Sequence, residues 1–439
     1  MTPELIGLTM IGVMLFAIFI GFPISFTLIF LGIVFGYWGF GDLVFYLLTL
    51  QFNATMMEQT LAAVPLFVFM GIMMEQANLM ERLFSSIQKM LANTRGSLFL
   101  AVMFVATIFA AATGIVGASV TILGIMARKP MIRSGYDVKM SAGLITAGGT
   151  LGILLPPSIM LVVMGPVLEV PVTTLFAAAI LPGILLASLF TAYAVFRCWL
   201  NPALGPPLPK EFHATSKREI WGDFFAGLVP PAALVLASLG SILFGIATTT
   251  EGAACGAAGA LLLTLAYGRL TWKNFCDALI KTLEISVLIL FLVAASNFFG
   301  AVFARLGTPS MLTEFLLGLE LNRYIILAMI MALIFLLGWP LEWVPIVLIV
   351  VPFLLPLVDS LGFDKVWFGI LVAVNLQTAW LSPPVALSAY FLKGVVPEWS
   401  LKDIYLGMMQ FMGLQLLGLI LIIVFPQIAL WLPEQWYGP

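Results

Sequence analysis

Two polar stretches interrupt apolar segments that are long enough to cross a bilayer, and they hold the residues whose types and spacing could do chemistry. The first reads GGTLGILLPPS (148–158) and the second reads NLQTAWLSPPV (375–385). Proline has no backbone N–H, so each proline pair leaves nearby carbonyl groups without a helical partner. In hydrocarbon such groups are costly unless protein, water or an ion satisfies them. Because hard cations prefer oxygen ligands, the two stretches predict Na⁺ sites.

A turn rich in glycine or proline precedes each stretch, TGIVG at 113–117 and GWPLEW at 338–343, and its carbonyls add further oxygen atoms. The residues that we predict to bind Na⁺ are Thr113, Gly114, Gly117, Ser119, Thr150, Gly152, Pro156, Gly338, Pro340, Asn375, Thr378 and Pro383. The residues that we predict to contact a transported substrate are Thr150, Ser158, Gln377 and Ser382. The alternative is that these residues only relieve packing and bond their own backbone. Two such breaks at one spacing favour a binding site.

Acidic residues near these stretches have competing interpretations. Glu342 lies in the second turn, where a carboxylate is costly in a membrane and would bind a cation or a proton, or would line an outward vestibule. Glu251, in ATTTEGAACG (247–256), is expected to cap a helix. Asp137 and Asp364 each follow a glycine at a predicted helix start and are expected to be N-caps. The small residues of GASVTILG (117–124) fit close helix packing as well as binding.

The composition requires membrane helices to position these residues. Of 439 residues, 62% are hydrophobic and 9% are charged, the mean hydropathy is +1.13 and the net charge is −2. A soluble domain of this size needs more polar surface, so we expect a polytopic all-α membrane protein. Three scattered cysteines, Cys198, Cys255 and Cys276, do not form a disulfide framework. The absence of a P-loop, GxGxxG or HExxH motif argues against ATP hydrolysis, and no enzyme activity is expected.

Hydrophobic segments divide the chain into six parts. Apolar spans are expected near 5–21, 24–40, 61–78, 224–246, 250–268, 282–304 and 404–425, and the first is expected to be retained because it lacks a cleavage signal. Residues 41–60 are expected to form a loop. The predicted parts are scaffold helices at 1–95, a first repeat at 96–197, a cytoplasmic loop at 198–222, scaffold helices at 223–322, a second repeat at 323–395 and a C-terminal span at 396–439.

The two repeats match at a constant offset in residue number. Pro383 and Pro384 match Pro156 and Pro157 at an offset of 227 (383 − 156), and Gly362 matches Gly135 at the same offset (362 − 135). In each repeat two apolar arms of about 15 residues flank a turn, and arms this short predict a re-entrant hairpin rather than two crossings. Each hairpin is followed by a helix that the proline pair interrupts. The sequence therefore predicts two hairpins and two broken helices.

Charge predicts that the two repeats are inverted. The loop at 128–139 holds four basic residues and one acidic residue, whereas its counterpart at 355–365 holds one basic residue and two acidic residues. By the positive-inside rule the first loop is cytoplasmic and the second is external. Segments at 79–95, 269–281 and 305–320 mix charged and apolar residues and are candidates for amphipathic helices at the membrane surface. Inverted repeats with broken helices are typical of secondary transporters.

The chain also resembles the large membrane subunit of tripartite ATP-independent periplasmic (TRAP) transporters along its whole length. The motifs that carry the resemblance are RSGYD (133–137), GGTLGILLPPSIMLV (148–162), AAAILPG (177–183), ATTTEGAA (247–254), GFDKVWFGILVAVNLQ (362–377), SPPVAL (382–387) and FPQIALWLP (425–433). Two segments depart from the family pattern. TGIVGAS replaces a serine-rich first turn, and LSPPVAL lacks the threonine before and the glycine after the prolines that are common in the family.

The resemblance implies an inverted-repeat, elevator-type secondary transporter with two re-entrant hairpins and two broken helices. It implies Na⁺-driven uptake of an organic acid, here a hydroxy or oxo carboxylate, in the inner membrane of a bacterium or archaeon. A periplasmic binding protein and a small TRAP membrane subunit are the implied partners, with lipid around the chain and neither nucleic acid nor a cofactor besides Na⁺. The nearest alternative is a self-sufficient divalent-anion or citrate symporter that needs no binding protein. An intramembrane hydrolase would need a nucleophile with a base or a metal site, whereas the sequence offers one loop histidine and no paired intramembrane aspartates. A scaffold subunit would not need two matching polar breaks.

Overall fold

The computed structural model describes residues 2–209, 217–383 and 386–438, and throughout these ranges the regular structure is helical. Lys210, His213, Pro384 and Val385, which belong to the polar loop and the second proline break of the sequence, lie outside the described residues. Eight of the described helices are long and apolar enough to cross a membrane. The chain is therefore a multi-pass membrane protein, as its composition predicts.

The first half of the chain contains ten helices in its described part. They are α1 (Pro3–Ile20), α2 (Ile24–Phe40), α3 (Leu43–Met57), α4 (Ala63–Gln76), α5 (Leu79–Met90), α6 (Ser97–Thr113), α7 (Val116–Arg133), α8 (Val138–Thr150), α9 (Ile159–Leu168) and α10 (Val172–Leu200). Short 3₁₀ turns lie at Gln59–Ala62, Leu151–Ile153 and Pro202–Leu204.

The second half of the chain follows the same order. Its described helices are α11 (Lys217–Leu243), α12 (Thr249–Ala266), α13 (Trp272–Arg305), α14 (Thr308–Leu317), α15 (Arg323–Leu337), α16 (Trp343–Pro345), α17 (Val351–Ser360), α18 (Lys365–Gln377), α19 (Leu387–Val395), α20 (Leu401–Val424) and α21 (Gln427–Tyr437). A π-helical turn at Ile346–Val350 joins α16 to α17, and a 3₁₀ turn at Thr378–Trp380 follows α18.

The helix bounds reproduce the offset between the two repeats. Moving α8 and its 3₁₀ turn along the chain by this offset gives the bounds of α18 and its 3₁₀ turn, residue for residue. The same shift carries α7 onto the segment from α16 to α17, and the last residue of α9 onto the last residue of α19. The side chains of Asp137 and Asp364, which match at the same offset, each accept a hydrogen bond of 2.8 Å from a backbone amide in the first turn that follows. The prediction that both are N-caps is confirmed.

Ion pairs show that the two broken helices run in opposite directions. Lys365, at the start of α18, pairs with Glu169, which directly follows α9, at 3.4 Å. Lys139, at the start of α8, pairs at 3.9 Å with Asp403, which lies just beyond α19 in the first turn of α20. The beginning of each broken helix thus lies beside the end of the other. This antiparallel arrangement is the one that inverted repeats require.

The repeat extends beyond the predicted parts into the scaffold. At the same offset, α2 falls on α12 within two residues, and α5 falls on α14. Shifted in the same way, α3 and α4 together cover α13, which is a single helix of 34 residues. The first repeat breaks this element at the 3₁₀ turn Gln59–Ala62, whereas the second repeat keeps it continuous.

Three predictions about helix bounds were wrong. Residues 41–60 are not a loop, because α3 occupies most of them; polar residues such as Gln51 and Asn53 lower the hydropathy without stopping a helix. The segment 269–281 is not a separate surface helix, because α13 begins within it at Trp272 and continues past its end without a break. The predicted loop at 198–222 is shorter, since α10 continues to Leu200 and α11 begins at Lys217. A helix after the last span, α21, was not predicted.

Close packing of small residues fixes the broken helices in the core. A side chain on Gly143 of α8 would overlap the carbonyl oxygen of Gly407 on α20, and a side chain on Gly407 would overlap the carbonyl of Lys139. The Gly117 backbone of α7 packs against the ring of Phe391 on α19, with ring atoms 2.9–3.2 Å from where a Cβ would stand. The second half of each broken helix therefore packs on the hairpin of the other repeat, since α9 contacts α17 in the same way.

Candidate ion and substrate site

The tip of the first hairpin meets the break of the first broken helix. A Cβ on Gly152 would lie 3.5 Å from the carbonyl oxygen of Ala110 on α6 and 3.7 Å from the Ser119 hydroxyl on α7. Gly114, which ends α6 in the left-handed conformation (φ +61°), would place a Cβ 3.7 Å from the carbonyl oxygen of Pro157. Both arms of the hairpin thus border the break, as a re-entrant hairpin requires.

Hydroxyl groups at the first break donate to carbonyls that the break frees. The amide of Leu151 donates to the carbonyls of Gly148 and Gly149, so it does not make the α-helical bond to Ala147. The Thr150 hydroxyl donates to that Ala147 carbonyl at 2.8 Å. The Ser158 hydroxyl donates to the carbonyl of Ile153. Each hydroxyl oxygen keeps lone pairs, so this capping and cation binding are compatible.

The second hairpin meets the second break in the same way. A Cβ on Gly338, at the end of α15, would lie 3.0 Å from the Cβ of Ala379 in the 3₁₀ turn after α18. The Asn375 side chain donates from Nδ2 to the carbonyl of Met331 on α15 at 2.7 Å. Its Oδ1 atom is buried and has no hydrogen-bond partner among the described residues. That oxygen is the most available neutral ligand at the second break.

The second break repeats the hydroxyl capping. The Thr378 hydroxyl donates to the carbonyl of Asn375 at 2.6 Å, and the Ser382 hydroxyl donates to the carbonyl of Thr378 at 2.7 Å. The Thr378 amide donates to Asn375 and Leu376, so the carbonyl of Val374 loses its α-helical partner just as Ala147 does.

A residue that the sequence analysis missed satisfies this second carbonyl. Gln415, which is fully buried on α20, donates from Nε2 to the carbonyl of Val374 at 3.3 Å and to Oε1 of Gln377. The signal in the sequence was weak: a single amide in the apolar stretch GLQLLGLILIIV (413–424), far from either break.

The polar groups at the breaks are neutral and buried. Thr150 and Ser158 have no exposed surface, and Asn375, Thr378 and Ser382 are each 1% exposed. Glu342, which precedes α16 at the second tip, is exposed and makes no capping hydrogen bond. Among the described residues there is no cluster of three histidine, cysteine or acidic side chains. The arrangement of neutral oxygens suits a hard monovalent cation better than a transition metal.

The remaining predicted residues lie within α7, in the second turn or in the breaks. Gly117 is inside α7, where its position serves the packing on Phe391. Pro340 lies in the turn between α15 and α16, and Pro156 and Pro383 lie in the breaks themselves. The side chain of Thr113 is outside the described part of the chain. Glu251 forms a capping box with Thr248 at the start of α12, which confirms its prediction as a helix cap.

Comparison with known proteins identifies the family. The family model described as "Tripartite ATP-independent periplasmic transporter, DctM component" matches residues 11–428. The sialic acid TRAP transporter large permease protein of Vibrio cholerae is 30% identical over 436 residues, which cover 96% of this chain and 97% of that protein. The C4-dicarboxylate TRAP transporter large permease protein of Pseudomonas aeruginosa is 28% identical and covers 89% of this chain and 90% of that protein.

Two further comparisons agree with this result. The 2,3-diketo-L-gulonate TRAP transporter large permease protein of Escherichia coli is 28% identical, and the match covers 98% of this chain and 99% of that protein. The crystal structure of the Alcanivorax borkumensis YdaH transporter covers 99% of both chains with a TM-score of 0.63 and 15% identity, which shows a shared fold. On the family match and the identity over nearly its full length, the chain belongs to the DctM component family of TRAP transporters and is a large permease.

Proposed function

We propose that this permease performs Na⁺-driven uptake of a small organic acid that a periplasmic binding protein delivers. A small TRAP membrane subunit assists it, and the hairpin-bearing helices α6–α10 and α15–α20 move as an elevator past the scaffold helices. The observation that carries the proposal is the pairing of each hairpin tip with a neutral, oxygen-lined break, twice, in opposite orientations.

Clefts between the scaffold and the hairpin-bearing helices support the elevator motion. A cleft of about 550 Å³ separates α5 from α7 and contains Lys129 and Arg133 at the end where the first hairpin begins and ends. A second cleft of about 290 Å³, at the opposite end, separates α3 and α13 from α9 and α17. A cleft at each end leaves room for such a motion.

The chemistry of the breaks supports an anionic substrate. The second halves of the broken helices, α9 and α19, begin at the breaks, and a helix N-terminus carries partial positive charge. Gln377 adds an amide donor, Nε2, that has no partner among the described residues. Three of the relatives are named for sialic acid, C4-dicarboxylate and 2,3-diketo-L-gulonate, which are carboxylates. A hydroxy or oxo carboxylate is the substrate that we propose.

Reconstitution tests this function. Proteoliposomes that contain the chain and its small subunit would receive the binding protein, an inward Na⁺ gradient and one labelled acid from each of those three classes. We expect uptake of one class that requires both Na⁺ and the binding protein. Undiminished uptake without Na⁺ that follows a proton gradient would overturn Na⁺ coupling and move attention to Glu342. Na⁺-dependent uptake without a binding protein would favour the self-sufficient symporter.

A further inference from the structure

The second break depends on another helix in a way that the first does not. At the first break the freed carbonyl of Ala147 is capped by Thr150, three residues along the same chain segment. The matching carbonyl is that of Val374, and the residue that matches Thr150 is Gln377. Gln377 does not cap Val374. Gln415, on α20, does so instead.

The carbonyl of Val374 fixes the orientation of the Gln415 amide. A carbonyl oxygen only accepts hydrogen bonds, so the atom of Gln415 that faces it must be the donor, Nε2. The same Nε2 also contacts the amide oxygen of Gln377. A donor requires an acceptor, so the atom of Gln377 on that side must be Oε1. The orientation of one side-chain amide is therefore passed to the other.

This chain of bonds decides which atom of Gln377 is open to a ligand. With Oε1 taken by Gln415, the remaining polar atom is Nε2, which is buried and has no partner among the described residues. A buried amide donor without a partner complements an acceptor such as a carboxylate oxygen. If Gln377 were reversed, it would present an oxygen, which repels a carboxylate.

We propose that Gln415 is a positioning residue for the substrate: it caps the second break and turns the Gln377 amide so that its donor is available to a carboxylate. The proposal rests on organic acid transport as proposed above. It adds a residue on α20 to a site that the hairpins and broken helices otherwise form. It also means that the substrate preference of the second break is set partly by α20.

Two substitutions at Gln415 separate capping from orientation. Gln415→Met keeps the length and removes both bonds. Gln415→Glu introduces a carboxyl group with at most one donor hydrogen. When the group is protonated, it donates this hydrogen to the carbonyl of Val374. In either protonation state, therefore, only an acceptor oxygen faces Gln377. Gln377 must then donate Nε2 to the introduced carboxyl group and present its oxygen to the site.

The two variants should weaken the affinity for the acid to different extents. Gln415→Met should raise the half-saturating concentration of the transported acid several-fold, and Gln415→Glu should raise it by about tenfold or more, since it replaces a donor with an acceptor. The half-saturating Na⁺ concentration should stay within about twofold in both, as the hydroxyls and Asn375 are untouched. The matched control is Gln410→Met on the same helix, because Gln410 bonds Tyr193 and Arg197 away from the break.

Hydrogen–deuterium exchange of the purified permease tests the capping without any substrate or ion. Gln415→Met should speed exchange in peptides over 374–383 and leave peptides over 147–158 unchanged, whereas Gln410→Met should change neither. In the double variant Gln377→Thr with Gln415→Met, the new hydroxyl matches Thr150 and can cap Val374. Exchange should return to that of the unmodified chain, but affinity for the acid should not, because the amide donor is gone.

Distinct outcomes would overturn the proposal. Unchanged exchange over 374–383 in Gln415→Met would show that Gln415 does not hold the break. Equal losses of acid affinity in the Met and Glu variants, both reversed by Gln377→Thr, would reduce Gln415 to a structural role. If the unmodified chain takes up none of succinate, sialic acid and 2,3-diketo-L-gulonate, organic acid transport fails and the substrate role of Gln415 fails with it, while the exchange experiment still decides the capping.

Discussion

The hydroxyls at the two breaks show how one side chain serves structure and chemistry together. Thr150 and Thr378 each donate their hydrogen to a carbonyl three residues earlier. This bond satisfies the backbone, so both the packing interpretation and the binding interpretation of the sequence apply to the same atom. The oxygen lone pairs remain for a cation. A substitution that removes the hydroxyl therefore changes both the backbone and the site, and a control must isolate the two.

Thr150→Ala should weaken Na⁺ activation more than a matched loss of hydroxyl elsewhere. We expect the half-saturating Na⁺ concentration to rise several-fold, for a loss of about 1 kcal/mol from one neutral ligand. Thr146→Ala is the control, because Thr146 lies one turn earlier in α8, is equally buried and donates to the carbonyls of Ala142 and Gly143. Proteoliposome uptake at varied Na⁺ would measure both. Equal Na⁺ dependence in the two variants would leave Thr150 with a backbone role alone.

The sequence located the oxygen-bearing residues but not the direction of their bonds. Ser158, Asn375 and Ser382 could be named because they interrupt apolar runs in the two stretches that contain the proline pairs. Gln415 could not be assigned, because its partner Gln377 lies 38 residues away and only folding brings them together. Contacts between distant segments are the information that a local pattern lacks.

At the scale of elements, glycines on α8 and α20 hold the broken helices in register. Gly407→Ala should destabilise the permease by about 1–3 kcal/mol, because the added methyl group overlaps the carbonyl of Lys139 and forces the helices apart. Gly413→Ala is the control on the same helix, since no atom of the described residues lies within 4 Å of a Cβ at that position. Thermal unfolding in detergent would compare them, and an unfolding temperature for Gly407→Ala at or above that of Gly413→Ala would contradict the packing argument.

A second element-scale contact depends on pH. The Arg128 side chain on α7 donates hydrogen bonds to Glu398, in the connection between α19 and α20, and thereby holds the pKa of that carboxyl below its ordinary value of 4.5. A carboxyl group whose pKa is lower in the folded than in the unfolded protein stabilises the fold at pH values above its unfolded pKa. This stabilisation is lost as the pH falls through the folded pKa. Glu398→Gln should therefore lower the unfolding temperature slightly at pH 7 and progressively less below about pH 4.5.

Unfolding measured from pH 7 down to pH 3 at low salt would check this, since exposed pairs are screened by salt. The control is Glu314→Gln on α14, because Glu314 has no ion-pair partner among the described residues. A difference from the unmodified chain that grows as the pH falls would show that Glu398 acts through something other than its bond to Arg128.

The sequence predicted the two helix breaks and missed two of the helices. The breaks at 154–158 and 381–383 follow from prolines and hydroxyls, and the structure interrupts the helices there. By contrast, α3 contains scattered polar residues and α21 contains Pro433, and neither was recognised as a helix. The scaffold repeat was missed because its two copies share helix bounds rather than residues.

At the scale of the whole molecule, the orientation in the membrane remains a prediction from charge. In a variant without cysteines, Ile132→Cys near the end of α7 should be protected from an impermeant thiol reagent in intact cells, and Ser360→Cys at the end of α17 should be labelled. Both positions are exposed, whereas Ser134 is buried and would label poorly from either side. Labelling of position 132 from outside would reverse the assigned orientation of the repeats.

The unbroken α13 is longer than the hydrocarbon layer of the membrane is thick. At 1.5 Å per residue its 34 residues extend about 51 Å, and even a tilt of about 40° leaves about 39 Å along the membrane normal, against a hydrocarbon thickness of about 30 Å. The surplus falls at its charged end, where Lys273, Asp277 and Lys281 recur every four residues. Because that end is charged, it stands out of the hydrocarbon by nearly two turns instead of thickening the leaflet. The uncharged part, residues 285–304, is 20 residues or about 30 Å long and matches the hydrocarbon, so the protruding turns would contact lipid headgroups rather than acyl chains.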